Sequence, residues 1–425
     1  MRYARLCLML AAVLSSSGNA YAASEIEELK TQVQQILKRI EQLEVAEKAR
    51  DATASQTAVS EVKQVKETPP EMARAIPAKA ESKSARFATG ENSGNPSISV
   101  VGNFTGQRIR GSGGVSSSSF LPLSEAEFIF GANIDPHARL DVTVTGANGG
   151  MAVEEGFITA NLPWRLNMRA GRKFLPVGRV NEMHPHALIY ADRPNGLVNL
   201  FGPEIFIGDG LLLDRPFFVG NSVQTVTAGF FGTQNDVAFD PTGSNQYAGL
   251  ARWSGLWDVS DAATIELGAN YVLGKNDIAA GHSMTRIGGG HFALKYQDVS
   301  QAGFTLEGEW LRRWQQQGVG VTTAVNDGSY LLATAALNRN WQLFSRFDYS
   351  RQYDPATLGW LKESAISAGL TWKISEFQGI TLQYKHTRNA LAEVAGDLGI
   401  AAGGNANAMY LRWVVAIGPH GAHPY

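Results

Sequence analysis

The chain has 425 residues, 44% of them hydrophobic and 18% charged, with 45 glycines, one cysteine and a formal net charge of -2. Near-zero net charge argues against a nucleic-acid partner, and a lone cysteine excludes disulfides, cysteine-ligated zinc and iron–sulfur clusters. Past residue 50 no amphipathic helical pattern of useful length occurs, and beyond the N-terminus no apolar run reaches the roughly 18 residues of a spanning helix, which leaves strands as the structural material.

In chain order, Arg2 and Arg5 precede an apolar run from Leu6 to Leu14 and then Ala20-Tyr21-Ala22, the layout of a secretory signal cleaved after Ala22. The run is too short to span a bilayer. Cys7 lies inside it, so the mature chain is expected to carry no thiol. From Ile26 to Leu43 the residues Ile26, Leu29, Val33, Ile36, Ile40 and Leu43 recur alternately three and four apart, the seam of a coiled coil. The expected coiled coil covers 23-45, and branched residues at its a positions suit a trimer. The competing reading is one amphipathic helix laid on its own barrel, because so short a helix is marginal alone. Residues 46-96 are rich in Ala, Lys, Glu, Ser, Thr and Pro without periodicity and read as a flexible linker.

From Ser97 to Ile417 the chain alternates apolar and polar residues in short segments, near 97-108, 119-131, 138-146, 152-161, 166-174, 206-217, 223-232, 246-256, 264-274, 284-296, 304-315, 329-337, 341-350, 363-374, 380-388 and 405-417. Compact links such as Asp135-Pro136, Pro163-Trp164 and Gly220-Asn221-Ser222 take turns with longer Gly/Ser/Asn/Asp loops. Short turns on one side and long loops on the other mark an outer-membrane barrel, and a backbone that crosses lipid without helices must close its hydrogen bonds in one. A soluble β-sandwich also alternates, but has no need of such regular long and short links. The expected fold is all-β: a transmembrane antiparallel β-barrel of about sixteen strands over 97-425, preceded by the coiled-coil helix. The expected location is the outer membrane of a Gram-negative bacterium, with lipid and lipopolysaccharide around the barrel and the N-terminal segment in the periplasm. Alternation assigns the faces: Leu267, Tyr271 and Leu273 toward lipid, Glu266, Asn270 and Val272 toward the lumen, with Trp164, Trp257 and Trp341 beside the short turns.

One link breaks the size pattern. Residues Leu175 to Ile205 read LPVGRVNEMHPHALIYADRPNGLVNLFGPEI, and loops this long without structure of their own are usually functional. By its place after the third ascending strand this segment resembles the constriction loop of general bacterial porins of the sixteen-stranded type. The resemblance implies that it folds into the barrel and narrows the pore, with Arg179, Glu182, His184, His186, Asp192, Arg193, Asn195, Asn199 and Glu204 among the constriction residues. Opposite them, Arg169, Lys173, Arg313, Arg346, Lys373, Lys385 and Arg412, with Glu125, Glu127, Asp141, Glu266, Glu307, Glu309 and Asp348, have the parity of lumen wall residues. Facing acids and bases would set a transverse field across the pore, although many of these charges would simply pair with one another.

The succession of coiled coil, linker and barrel, with MRAGRKFLPVG from Met168 to Gly178, resembles the DcaP-like porins and, more loosely, the phosphate-selective O/P porins. That resemblance implies a homotrimeric channel with a periplasmic coiled coil. It does not carry the solute, because the expected lumen has comparable acid and base where phosphate porins have an arginine ladder; small carboxylates, other anions and general polar nutrients all stay open. No nucleophile elbow, phosphate loop or zinc-protease helix is present, so no enzyme activity and no cofactor are expected. No metal is expected either, since His184 with His186, and His420 with His423, each supply two imidazoles and not a full set of ligands. The expected function is passive diffusion of small hydrophilic solutes. A non-transport barrel, serving as adhesin or structural anchor with a plugged lumen, is the rival.

Overall fold

The computed structural model describes residues 96–418 apart from 148, 204–205, 233, 240–246, 277–282, 300, 319–322 and 355–356. The signal, coiled coil and linker, Glu204, and the tail with His420, His423 and Tyr425 lie outside the described residues.

The described chain forms one sheet of strands β1 (Ser97–Gly111), β2 (Ser116–Ser119), β3 (Leu123–Asp135), β4 (Ala138–Ala147), β5 (Gly150–Leu162), β6 (Leu166–Phe174), β7 (Ile207–Val219), β8 (Ser222–Gly232) and β9 (Tyr247–Ser260). It continues through β10 (Ala263–Asn276), β11 (Ser283–Gln297), β12 (Gly303–Gln315), β13 (Ala324–Ala336), β14 (Trp341–Asp354), β15 (Gly359–Ser375), β16 (Gln378–Arg388) and β17 (Ala406–Ile417). Each pairs antiparallel with its neighbour, and β17 returns to β1 from Val100 opposite Ile417 to Gly111 opposite Ala406, which closes the barrel. Strands β2 and β3 both lie on β1 and form one crossing interrupted at 120–122, so the seventeen strands make sixteen crossings. The interruption has a local cause: Leu121 has φ 45°, and Pro122 has no N–H to give the ladder.

One rim carries only short turns, at 136–137, 163–165, 220–221, 261–262, 298–302, 337–340 and 376–377; the other carries the long links, including 175–206 and 389–405. The predicted faces hold. Leu267, Tyr271 and Leu273 point outward, while Asn270 and Val272 are buried inside. Outward Trp341 stacks on Trp372 with ring centroids 5.6 Å apart, beside the turn 337–340, as interfacial aromatics of a barrel do.

Inside, the barrel is less polar than alternation suggests. Val272, Ile287, Leu311, Leu332 and Phe344 face inward and are buried with Leu175, Val180, Leu188, Leu197, Leu200 and Phe206 of the long segment 175–206. Burial of a Leu or Phe side chain contributes about 1.5–3 kcal/mol, so this half of the lumen is a packed core that holds the segment in place. Within the segment a short helix α1 (Asn195–Phe201) follows Pro194 and stops at Gly202, φ 82°; all its residues are buried. It lies against β13 so closely that a β-carbon on Gly196 would sit 2.5 Å from the Ser329 nitrogen.

The link 389–405 was expected to be a modest loop. It carries a second short helix, α2 (Ala392–Leu398), ended by Gly399 in the left-handed region. Leu391, Val394, Ala395 and Leu398 are buried, and Val394, Ala395 and Leu398 share a second apolar cluster with Ile109, Val198 and Tyr410. Both long links therefore fill the lumen.

Candidate functional site

The segment 175–206 enters the lumen through a neck that its own backbone closes. Leu175 N–H donates to the Phe206 carbonyl at 3.0 Å. Asn181, fully buried, donates from Nδ2 to the carbonyls of Leu175 and Phe206, each at 2.8 Å, and accepts from the Phe206 N–H at 3.0 Å. Just after the neck, Gly178 has φ +72°, and a β-carbon there would sit 1.8 Å from Glu309 Oε1. Only glycine lets the chain turn at this spot against the wall. The turn aims the N–H groups of Arg179 and Val180 at Glu309 Oε2, at 3.0 and 3.4 Å. The Pro-x-Gly of the sequence element thus has a concrete task in the neck.

Beyond the neck the predicted constriction residues do meet the predicted wall residues. Arg179 bonds Glu266 and lies 3.1 Å from Glu307. Glu182 bridges Arg169 at 3.0 Å and Arg252 at 2.9 Å, while Arg169 also grips both oxygens of Asp214. His184 and His186 face Glu127, and His184 also reaches Glu155, which Lys173 pairs at 3.2 Å. Asp192 receives Lys385 at 2.6 Å and Arg346 at 2.9 Å, and bonds Gln383. Arg346 pairs in turn with the fully buried Asp348 at 3.0 Å. Asn195 and Asn199 donate to Glu363, at 2.6 and 3.2 Å.

Several wall residues differ from expectation in their surroundings. Arg313, Arg346, Lys385, Glu127 and Glu309 face inward as alternation requires, but the segment covers them and they line no open wall, and Arg412 is buried against the segment at the cavity edge. Their charges are used on the segment itself. Arg313 donates to Leu200 O at 2.5 Å, at the C-terminal end of α1, where a cation suits the helix carbonyls; Arg412 donates to Pro185 O at 2.9 Å and to Leu188 O. Arg193 donates to Met183 O at 3.1 Å. Asp141 stands apart from the segment and pairs with Arg139 at 2.8 Å.

A cavity of about 830 Å³ lies between the segment and the turn rim. The segment contributes Arg179, Met183 and His186–Tyr190 to its lining, and the wall contributes Glu266, Lys295, Glu307, Lys373, Glu376 and Arg412. Arg179 is tied to Glu266 and Glu307. Among the described residues Lys295 and Lys373 form no ion pair, against Glu376 alone among the lining carboxylates, which leaves this cavity with more free cations than free carboxylates.

Asn181, Glu363 and the pair Glu154 and Glu155 were not singled out from the sequence, whereas Gly178 belongs to the Pro-x-Gly element that was. The paired glutamates were hidden by a register shift: Thr143 pairs with Glu155 and Val144 with Val153, so Glu154 is an extra residue in a β-bulge. Bulges re-aim side chains, and here both neighbours reach the same His184, which strict alternation forbids.

No family model matches the chain. An uncharacterized protein of Aquifex aeolicus is 25% identical over 343 residues, 71% of this chain and 70% of its own length. Among solved structures, the anion-selective porin from Comamonas acidovorans superposes with a TM-score of 0.52 at 13% identity, over 76% of this chain and 100% of that one. The outer-membrane channel DcaP of Acinetobacter baumannii reaches 0.49 at 8% identity, over 76% and 98%. At these identities the likeness is one of fold: the chain has the closed sixteen-stranded barrel architecture of outer-membrane porins.

Proposed function

We propose that this protein is an outer-membrane porin for passive diffusion of small hydrophilic solutes, with the segment 175–206 as its constriction. The observation that carries the reading is the inward fold of that one segment above the 830 Å³ cavity, with the charged residues Arg179, Glu266 and Glu307 meeting at the cavity roof. A barrel that only anchors has no need of a charged cavity beneath a narrowed section. The unpaired Lys295 and Lys373 support a preference for small anions, carboxylates included, since fixed cations raise the local anion concentration. In the same reading the barrel is a homotrimer, the turn rim faces the periplasm, and residues 23–45 form the trimer's coiled coil there. Liposome swelling with neutral sugars of rising size and with small carboxylates tests it. A sharp size limit and faster entry of carboxylates than of matched cations are expected; liposomes impermeable to all of them would refute it.

A second reading has its own observation. The two apolar clusters that hold 175–206 and 389–405 inside the barrel would also suit a plugged barrel used as adhesin or anchor, and the same swelling assay separates the two.

A further inference from the structure

The wall facing His184-Pro185-His186 gathers four carboxylates, with Lys173 paired to Glu155 and the buried Arg193 close to Glu125, Glu127 and Glu154. Glu125 and Glu127 on β3 and Glu154 and Glu155 on β5 lie around the two imidazoles. Among the described residues, Lys173 is the only lysine or arginine in an ion pair with any of the four. Glu127 is 1% exposed. Its Oε1 lies 2.7 Å from His186 Nδ1, but its Oε2 makes no hydrogen bond, although His184 Nδ1 is only 3.3 Å away. His184 Nδ1 is itself buried without a hydrogen bond and lies 3.5 Å from Glu154 Oε2. A buried acceptor and a buried nitrogen that stand 3.3 Å apart without a hydrogen bond call for an explanation, and a cation held by both supplies one.

The spacing suits a metal ion. Ligand atoms of Glu127, His184 and His186 all lie within 4.8 Å of one another, as do those of Glu125, Glu127 and Glu154. Tetrahedral zinc with bonds near 2.0–2.1 Å needs ligand atoms about 3.3 Å apart, and Glu127 stands 2.7 Å from His186 Nδ1 through Oε1 and 3.3 Å from His184 Nδ1 through Oε2. An outer contact is in place as well: Glu155 Oε2 lies 3.0 Å from the other ring nitrogen of His184, as a carboxylate commonly orients a metal-bound histidine. We propose that His184, His186 and Glu127, with water completing the shell, form a site for a divalent transition-metal cation of the zinc type, which staples the inward segment to the β3–β5 wall. The imidazole nitrogens and carboxylates favour zinc, copper or nickel over calcium or magnesium. The site depends on where the segment lies and not on whether the barrel conducts.

The test uses the full-length protein refolded in detergent, stripped with EDTA and titrated with zinc chloride by calorimetry, with cobalt(II) absorption as a second readout. Expected are one zinc per chain, intense visible cobalt bands of a tetrahedral site, and binding weakened at least about tenfold in both His184→Asn and Glu127→Gln, each checked for the heat-modifiable mobility of a folded barrel. The double variant His420→Ala/His423→Ala, in the tail, should bind as the parent does. No saturable zinc binding in the folded parent would overturn the proposal and leave the histidines as imidazolium partners of the glutamates. Binding lost only in the tail variant would overturn it equally. If either variant fails to fold, His186→Asn takes its place in the same comparison.

Discussion

From Leu175 to Arg193 the inward segment meets the barrel both through the apolar core, with Leu175, Val177, Val180, Leu188 and Tyr190, and through polar groups: Arg179, Glu182, His184, His186 and Asp192 each reach a charged side chain on the wall. From Pro194 to Phe206 its described residues carry no ionisable side chain, and Leu197, Leu200, Phe201 and Phe206 lie in the apolar core with Phe231, Phe239 and Leu311. The first stretch borders the cavity and the second does not. The second stretch is thus foundation alone, and the first adds to its own packing the surface a solute would meet. Ions that border the cavity can be retuned with little loss of the fold, unlike the buried Asp192–Arg346–Asp348 chain behind them.

Substitutions can break that division or sharpen it. Phe206→Ala leaves a cavity among Phe201, Phe231 and Phe239 and should cost about 3–5 kcal/mol, read as a lowered urea midpoint and as new protease cleavage inside 175–206. Arg346→Ala strips the buried Asp348 and Asp192 of their partner and should cost about 3–5 kcal/mol as well. A loss under 1 kcal/mol would mean that the ionic half bears no structural weight. Asn181→Ala leaves the carbonyls of Leu175 and Phe206 without that donor and should cost about 1–3 kcal/mol, with the neck opened to proteolysis first. Lys373→Gln with Lys295→Gln, both at the cavity lining, should leave the midpoint within about 0.5 kcal/mol. The same pair should cut the anion-to-cation permeability ratio by roughly fivefold, a change of about 1 kcal/mol, measured as a shift in reversal potential under a salt gradient.

The barrel was legible because its rule is local. A period of two, broken by short and long links, reads directly off residues such as Ile265 to Leu273, and length alone singled out 175–205. What escaped needed the third dimension. The bulge at Glu154 breaks alternation at one residue. The neck built from Gly178, Asn181 and Glu309 joins positions up to 131 apart in the chain. The helix α2 did leave a signal, Leu391, Val394, Ala395 and Leu398 at the spacing of one helical face, but four positions in a link between strands read as a loop until the buried partner Ile109 is known. Parity found which wall charges face inward; it could not tell a charge that lines water from one that the segment covers.

The central claim is that ions cross this barrel past the charged half of the segment, and a thiol reporter reaches it most directly. The chain's only cysteine, Cys7, lies in the predicted signal, so Arg179→Cys places a single thiol at the cavity roof. Single-channel currents would be recorded in planar bilayers before and after addition of a charged methanethiosulfonate. The account predicts stable conductance, in steps of three for a trimer, and a fall in current when the thiol is modified. Folded barrels that carry no current, or a current that modification leaves unchanged, would contradict it.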